Sequence, residues 1–151
     1  MRRKRFAKKA FRVWLDYLAR NLTKIRDDYT CQKCGLKSAN AKNIQWCHIK
    51  SRKSNNLRWL PENNITLCGH CHSWGHDNPD EFIHWFEGKY PAWAELIGVV
   101  HRTATKVWRE PDYRDVEYRL LIQLKHYSIN TARLPDSSGK RKRLLKVLKG
   151  E

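Results

Sequence analysis

Two Cys-x-x-Cys pairs, Cys31-Gln-Lys-Cys34 and Cys68-Gly-His-Cys71, constrain this chain more than any other feature. Four thiolates close a tetrahedral zinc site, and a site closed by four protein ligands is structural rather than catalytic. The pairs are separated by the 33 residues from Gly35 to Leu67, so one structural Zn2+ would staple segments far apart in sequence. A chain of 151 residues with a hydrophobic fraction of 40% builds only a modest core, which makes such a staple physically reasonable. Cys47 brings the cysteine count to five, and two close pairs plus an odd residue fit zinc better than a disulfide framework.

Charge is the strongest global signal. The chain carries 31 Lys and Arg against 15 Asp and Glu, a formal net charge of +16. That surplus favours a polyanionic partner through phosphate contacts and counterion release. The basic start, Met1-Arg-Arg-Lys-Arg-Phe6, is not followed by the apolar run of a secretory signal. No stretch reaches membrane-spanning length, so no membrane partner is expected. The expectation is a cytoplasmic protein, in a reducing compartment that keeps thiols available for metal.

Periodicity divides the chain into four expected parts. Residues 1–26 form a basic amphipathic arm, with a helix over 5–26 whose apolar positions are Phe11, Trp14, Leu15, Leu18, Leu22 and Ile25. Its basic face either solvates the helix or contacts nucleic acid. Residues 27–100 form the zinc-stapled domain. Within it, Gly35 relieves a tight knuckle turn, 43–49 suits a strand, 50–56 a polar loop, and 57–60 a returning strand ended by Pro61. A short helix should start near Cys71, interrupted weakly by Gly75. Asn78-Pro79-Asp80 signals a new helix start, and 92–100 a further short helix. Residues 101–136 hold a connector and a helix over 116–127, packing through Tyr118, Leu121, Ile122 and Leu124. Pro135 to Gly139 reads as a flexible break, and 137–151 as a basic tail that is either a solvated arm or a phosphate-binding one.

The histidines need a role beyond the staple. His48 follows the strand and precedes a loop with Arg52 and Lys53, with Arg58 just beyond. His72 and His76 are four residues apart, so on a helix both imidazoles share one face and could grip one ion. Histidine ligands with open coordination positions suit metal-assisted phosphodiester cleavage.

The order Cys-x-x-Cys, Cys47-His48-Ile49, Asn63, then Cys-x-x-Cys-His resembles the HNH endonucleases, the ββα-metal nucleases, in the branch with a four-cysteine zinc knuckle. The resemblance covers roughly residues 27 to 90. The strings Cys47-His-Ile-Lys-Ser-Arg52 and Pro61-Glu-Asn-Asn-Ile-Thr-Leu-Cys68 are similar to small phage-borne members, with the NinG/Rap recombination endonucleases as one relative. The resemblance implies an α+β fold with a ββα-metal core and flanking helices. It implies that His48 is the general base and that Asn63 holds the catalytic loop, Asn64 being its rival. It implies that His72 is a ligand of the catalytic metal, with His76 a further one. The implied ion is Mg2+ or Mn2+, with Zn2+ or Ni2+ as alternatives. The implied partner is DNA, double-stranded or branched, in a bacterial host cytoplasm if the chain is phage-encoded.

One position departs from the family pattern. Many members carry Asp or His before the general base, where this chain has Cys47. A thiolate is a soft ligand, poorly matched to Mg2+. Cys47 is then a buried filler, a ligand for a softer metal, or absent from a site completed by phosphate and water. Arg52, Lys53 and Arg58 are candidate DNA contacts, with generic surface cations as the alternative. Trp46, Trp59 and Trp74 either pack around the site or stack on unpaired bases. His70, between two cysteines, is expected to face solvent. The expected function is a DNA endonuclease, acting as monomer or homodimer; the rival is a zinc-containing DNA- or RNA-binding module without cleavage.

Overall fold

The computed structural model describes residues 6–38, 42–103, 106–127, 134 and 139–150. They form a helix-rich α+β structure with one two-stranded antiparallel sheet. Helices α1 (Lys8–Arg26), α2 (Asn55–Arg58), α3 (Gly69–Asp77), α4 (Pro79–Lys89), α5 (Pro91–Arg102), α6 (Glu110–His126) and α7 (Lys140–Lys149) accompany strands β1 (Ile44–His48) and β2 (Asn64–Cys68). No helix among the described residues is long and apolar enough to cross a membrane. The chain divides into two compact units, one of Met1–Leu22 with Val107–Glu151, the other Thr23–Lys106. The amino-terminal arm and the carboxy-terminal elements thus belong to one unit, and α1 runs from that unit into the other.

The first unit is helical. The expected apolar stripe on α1 buries Phe11, Trp14, Leu15, Leu18 and Leu22. Each such side chain contributes about 1.5–3 kcal/mol over its exposed state. Trp14 Nε1 donates to Glu117 of α6 at 2.7 Å. Of the expected packing residues of α6, Leu124 is buried, but the face turned inward is otherwise a different one. Tyr113, Val116, Leu120 and Leu124 are buried, whereas Tyr118 and Ile122 are exposed. The phase is set by Tyr113, at the helix start, where Asp112 Oδ2 accepts from the Arg109 amide at 2.8 Å. A helix taken to begin at 116 lacks that anchor. The tail is also no simple arm: Lys140–Lys149 is a helix that buries Leu144 completely. Of the expected break, 135–138 lie outside the described residues.

The second unit carries the sheet. β1 and β2 pair from Ile44↔Cys68 to His48↔Asn64. The returning strand is therefore 64–68, not 57–60. Leu57 and Trp59 are buried with Arg58 less so, an alternation that imitates a strand, but they lie on and just after the helical turn α2. Pro61 opens a 3-10 turn, Pro61–Asn63, instead of ending a strand. All five β2 residues are buried although Asn64-Ile65-Thr66-Leu67 alternates polar and apolar, so the alternation does not here mark a wet face. The unit's core gathers Cys47, Leu57, Ile65, Leu67, Phe82, Phe86 and Ile97 around the sheet.

Within the Thr23–Lys106 unit, Arg26 and the Asp27 that follows it bind the sheet and its neighbouring turn. Arg26 donates to Asp27 at 2.7 Å, to the Pro61 carbonyl at 2.8 Å and to the Asn64 carbonyl at 2.7 Å. Asp27 in turn accepts from the Thr66 amide at 2.8 Å. Arg26, expected on the helix's basic face, is thus engaged within the fold.

Candidate functional site

The four paired cysteines meet. The sulfurs of Cys31, Cys34, Cys68 and Cys71 lie within 4.8 Å of one another, compatible with a structural metal such as zinc. The first pair sits on a turn closed by the Gly35 amide donating to the Cys31 carbonyl at 2.9 Å. Gly35 has φ of +78°, the left-handed conformation that favours glycine. The second pair joins β2 to α3: Cys68 ends the strand and caps the helix, its sulfur accepting from the Cys71 amide at 3.4 Å. Burial alone would raise the Cys31 thiol. Backbone amides of Cys34, Cys68 and Lys33 outweigh it and bring the thiol down to about 7, poised to deprotonate onto a metal. Cys34 is the exposed member.

This junction also places the histidines. Starting from the Cys68 cap, one turn of α3 reaches His72 and a second reaches His76. Their rings stand 4.7 Å apart, centroid to centroid. His72 and His76 line a cavity of about 620 Å³ together with Trp46, Cys47, His48 and Arg52. His48, 24 residues before His72 in sequence, therefore faces the same space as the α3 pair.

Each imidazole is oriented by a neighbour. His48 Nε2 lies 3.2 Å from the Arg58 carbonyl. A carbonyl only accepts, so Nε2 carries the proton and Nδ1 the lone pair. The Trp46 ring, 4.3 Å away and tilted by 55°, flanks the same imidazole. His72 Nδ1 donates to Gln45 Oε1, which leaves Nε2 with the lone pair. Burial, followed by the nearby His76, lowers the His72 pKa and favours the neutral, metal-binding form.

Asn63 is completely buried and staples the loop after His48. Its Oδ1 accepts from the Lys50 amide at 2.8 Å, and its Nδ2 donates to the Lys50 and Leu57 carbonyls, both at 3.0 Å. Asn64 reaches the same segment differently, donating to the Arg58 carbonyl at 3.3 Å and the Leu60 carbonyl at 2.6 Å. Asn63 thus fixes the loop, while Asn64 braces the carbonyl that orients His48.

Cys47 points into the core as well as onto the cavity and is 4% exposed. Burial, with a smaller contribution from Cys31, pushes its thiol up to about 12. Its burial suits a filler. Arg52 lines the cavity, whereas Lys53 and Arg58 do not. Arg58 folds back, its guanidinium donating to the Arg52 carbonyl at 3.3 Å and lying 5.6 Å from the Trp59 ring centroid. Trp59 is buried, and Trp74 packs on Phe82 with Lys33 above it at 4.0 Å. Both take the packing role. His70 is exposed, as expected.

The sequence reading missed three contributors. Gln45 was not singled out, although strand alternation puts its amide on the Cys47 side of β1. The Arg58 carbonyl is backbone and leaves no sequence signal. Gly75, read as a weak point of the helix, lies against α4: a Cβ there would stand 3.1 Å from the Phe82 ring. Comparison with protein-family models, curated proteins and solved structures finds no match.

Proposed function

We propose that this chain is a metal-dependent endonuclease of the HNH kind that hydrolyses DNA phosphodiester bonds. The observation that carries the reading is the shared cavity of His48, His72 and His76, with the lone-pair nitrogen of His48 set by the Arg58 carbonyl. His48 Nδ1 takes a proton from water as that water attacks phosphorus in line with the leaving 3′ oxygen. The products would carry 5′ phosphate and 3′ hydroxyl. Asn63 acts through the loop it staples, and the Arg52 guanidinium suits a non-bridging phosphate oxygen. The donor set fits a divalent ion: two imidazoles one helical turn apart, one held neutral by burial and oriented by Gln45. When bound by His72 and His76, that ion supplies charge stabilisation for the phosphoryl oxygens and the leaving group.

The test is nicking of supercoiled plasmid by pure protein with Mg2+, Mn2+, Zn2+, Ni2+ or chelator. Metal-dependent nicking that His48→Ala abolishes is the expected result. Absence of nicking with every metal, or unchanged nicking by His48→Ala, rejects the enzyme. A zinc-containing DNA- or RNA-binding module is then the reading left, and the buried Cys47 in place of an acidic ligand is the observation that favours it. Competition with RNA identifies which nucleic acid is preferred.

A further inference from the structure

Most of the net positive charge lies outside the unit that holds the candidate chemistry. The unit of Met1–Leu22 and Val107–Glu151 holds 19 Lys and Arg against 7 Asp and Glu, a net +12. Thr23–Lys106, which contains the histidine cavity, holds 12 against 8, a net +4. The two figures add to the +16 of the whole chain.

Within the basic unit, Arg114, Arg119 and Arg143 are held in ion pairs. Arg114 pairs with Glu110 at 3.3 Å and Glu117 at 3.1 Å, and Arg119 pairs with Asp115 at 2.9 Å. Arg143 reaches Glu117 at 3.0 Å and lies 4.1 Å over the Trp14 ring, so it helps to seat α7. Lys142, Lys146 and Lys149 differ. They recur at i, i+4 and i+7, which puts them on one stripe of α7 opposite the buried Leu144. All three are exposed.

Lys146 and Lys149 lie in the last turn of α7, where the helix dipole favours cations, but helix stability does not account for the first-turn cations. The first turn of α7 has no acidic residue and begins Lys140-Arg141-Lys142, beside the positive end of the helix dipole. The first turn of α1 likewise has no acid and begins Lys8-Lys9. Cations in a first turn are unfavourable by roughly 0.3–1 kcal/mol, and an anionic partner relieves that cost. The stripe from Lys142 to Lys149 spans roughly 10 Å at 1.5 Å per residue, a length over which a duplex presents about six phosphate charges.

We infer that the basic unit is the chain's grip on a duplex nucleic-acid backbone, with Lys142, Lys146 and Lys149 as its rail, while the chemistry belongs to the other unit. The grip supplies affinity without sequence information and takes no part in bond cleavage. The inference rests on the proposed nuclease reading only for this division of labour.

The test uses the full chain. Binding to a short DNA duplex is measured against salt concentration for the wild type, for Lys142→Gln/Lys146→Gln/Lys149→Gln, and for His48→Ala. The triple variant should lower the slope of log K against log salt by about 2 to 3, since each phosphate contact contributes about 0.9. Its cleavage rate at saturating DNA should be unchanged. His48→Ala should keep the wild-type slope. The single variant Lys146→Gln, expected to lower the slope by about 1, checks the triple substitution against any loss of helix. An unchanged slope in both lysine variants overturns the rail, and a lost rate at saturation overturns the division of labour. If the wild type binds with the expected slopes but never cuts, the rail stands and the nuclease reading falls.

Discussion

Replacing Asn63 with alanine removes three hydrogen bonds from a position with no solvent exposure. The bond to the Leu57 carbonyl is wholly buried, so its loss leaves an acceptor that water does not readily reach, at a cost of about 1–3 kcal/mol. The two bonds to Lys50 are part-buried, and water replaces them more easily, at about 0.5 kcal/mol each. The sum is a destabilisation of about 2–4 kcal/mol, large for one polar residue. Urea denaturation followed by tryptophan fluorescence measures it. A nicking assay run well below the denaturation midpoint should show a further loss of rate, because the loop from His48 to Arg58 loses its staple. Asn63→Asp is the sharper variant: it keeps the acceptor for the Lys50 amide but faces two carbonyls with a carboxylate, and should be at least as destabilising. A change below about 1 kcal/mol with full nicking activity would refute the idea that this amide organises the loop.

Other consequences are equally direct. Cys34→Ser should unfold the Thr23–Lys106 unit, because structural zinc contributes about 10–16 kcal/mol of apparent binding energy, comparable to a domain's whole stability; an unchanged melt and no bound zinc in the wild type would remove the staple. Cys47 should resist alkylation in the native protein at neutral pH, since burial pushes its thiol up to about 12. Its ordinary value is 9.0, so its contribution to stability is whole below that pH and fades as pH rises through 12. Rapid native labelling at Cys47, read by mass spectrometry, would contradict its burial. Gly75→Ala should be destabilising on balance: the helix gains about 1 kcal/mol of propensity, but the Phe82 ring, wedged beside Trp74 and Trp85, must give way at about 1–3 kcal/mol. A stabilised variant would show that α4 yields freely.

The sequence revealed features whose physics is local. Cysteine spacing marked the staple, and apolar positions at helical intervals marked α1 and α4, the latter with Pro79 at its first position. It concealed what depends on tertiary context. β2 alternates polar and apolar over Asn64 to Leu67, but both its faces are buried, so the alternation does not report where Asn64 and Thr66 lie. The Leu57-Arg58-Trp59 alternation did suggest a strand, but the chain there turns helically, with both apolar residues buried and the Leu57 carbonyl accepting from Asn63. The face of α6 was misjudged because Tyr113 lay in what read as a connector. In the site, His48, Asn63, His72 and His76 were visible as residue types at suggestive spacing. Gln45 and the Arg58 carbonyl were not, because orientation of an imidazole is set by groups that carry no signal of their own.

Anomalous diffraction from zinc-loaded crystals soaked in Mn2+ tests the arrangement most directly. Two separate sites are expected: zinc among the sulfurs of Cys31, Cys34, Cys68 and Cys71, and manganese held by His72 and His76 within the cavity that His48 faces. Zinc alone, with no manganese at the histidine pair even when a DNA oligonucleotide is bound, would contradict the account.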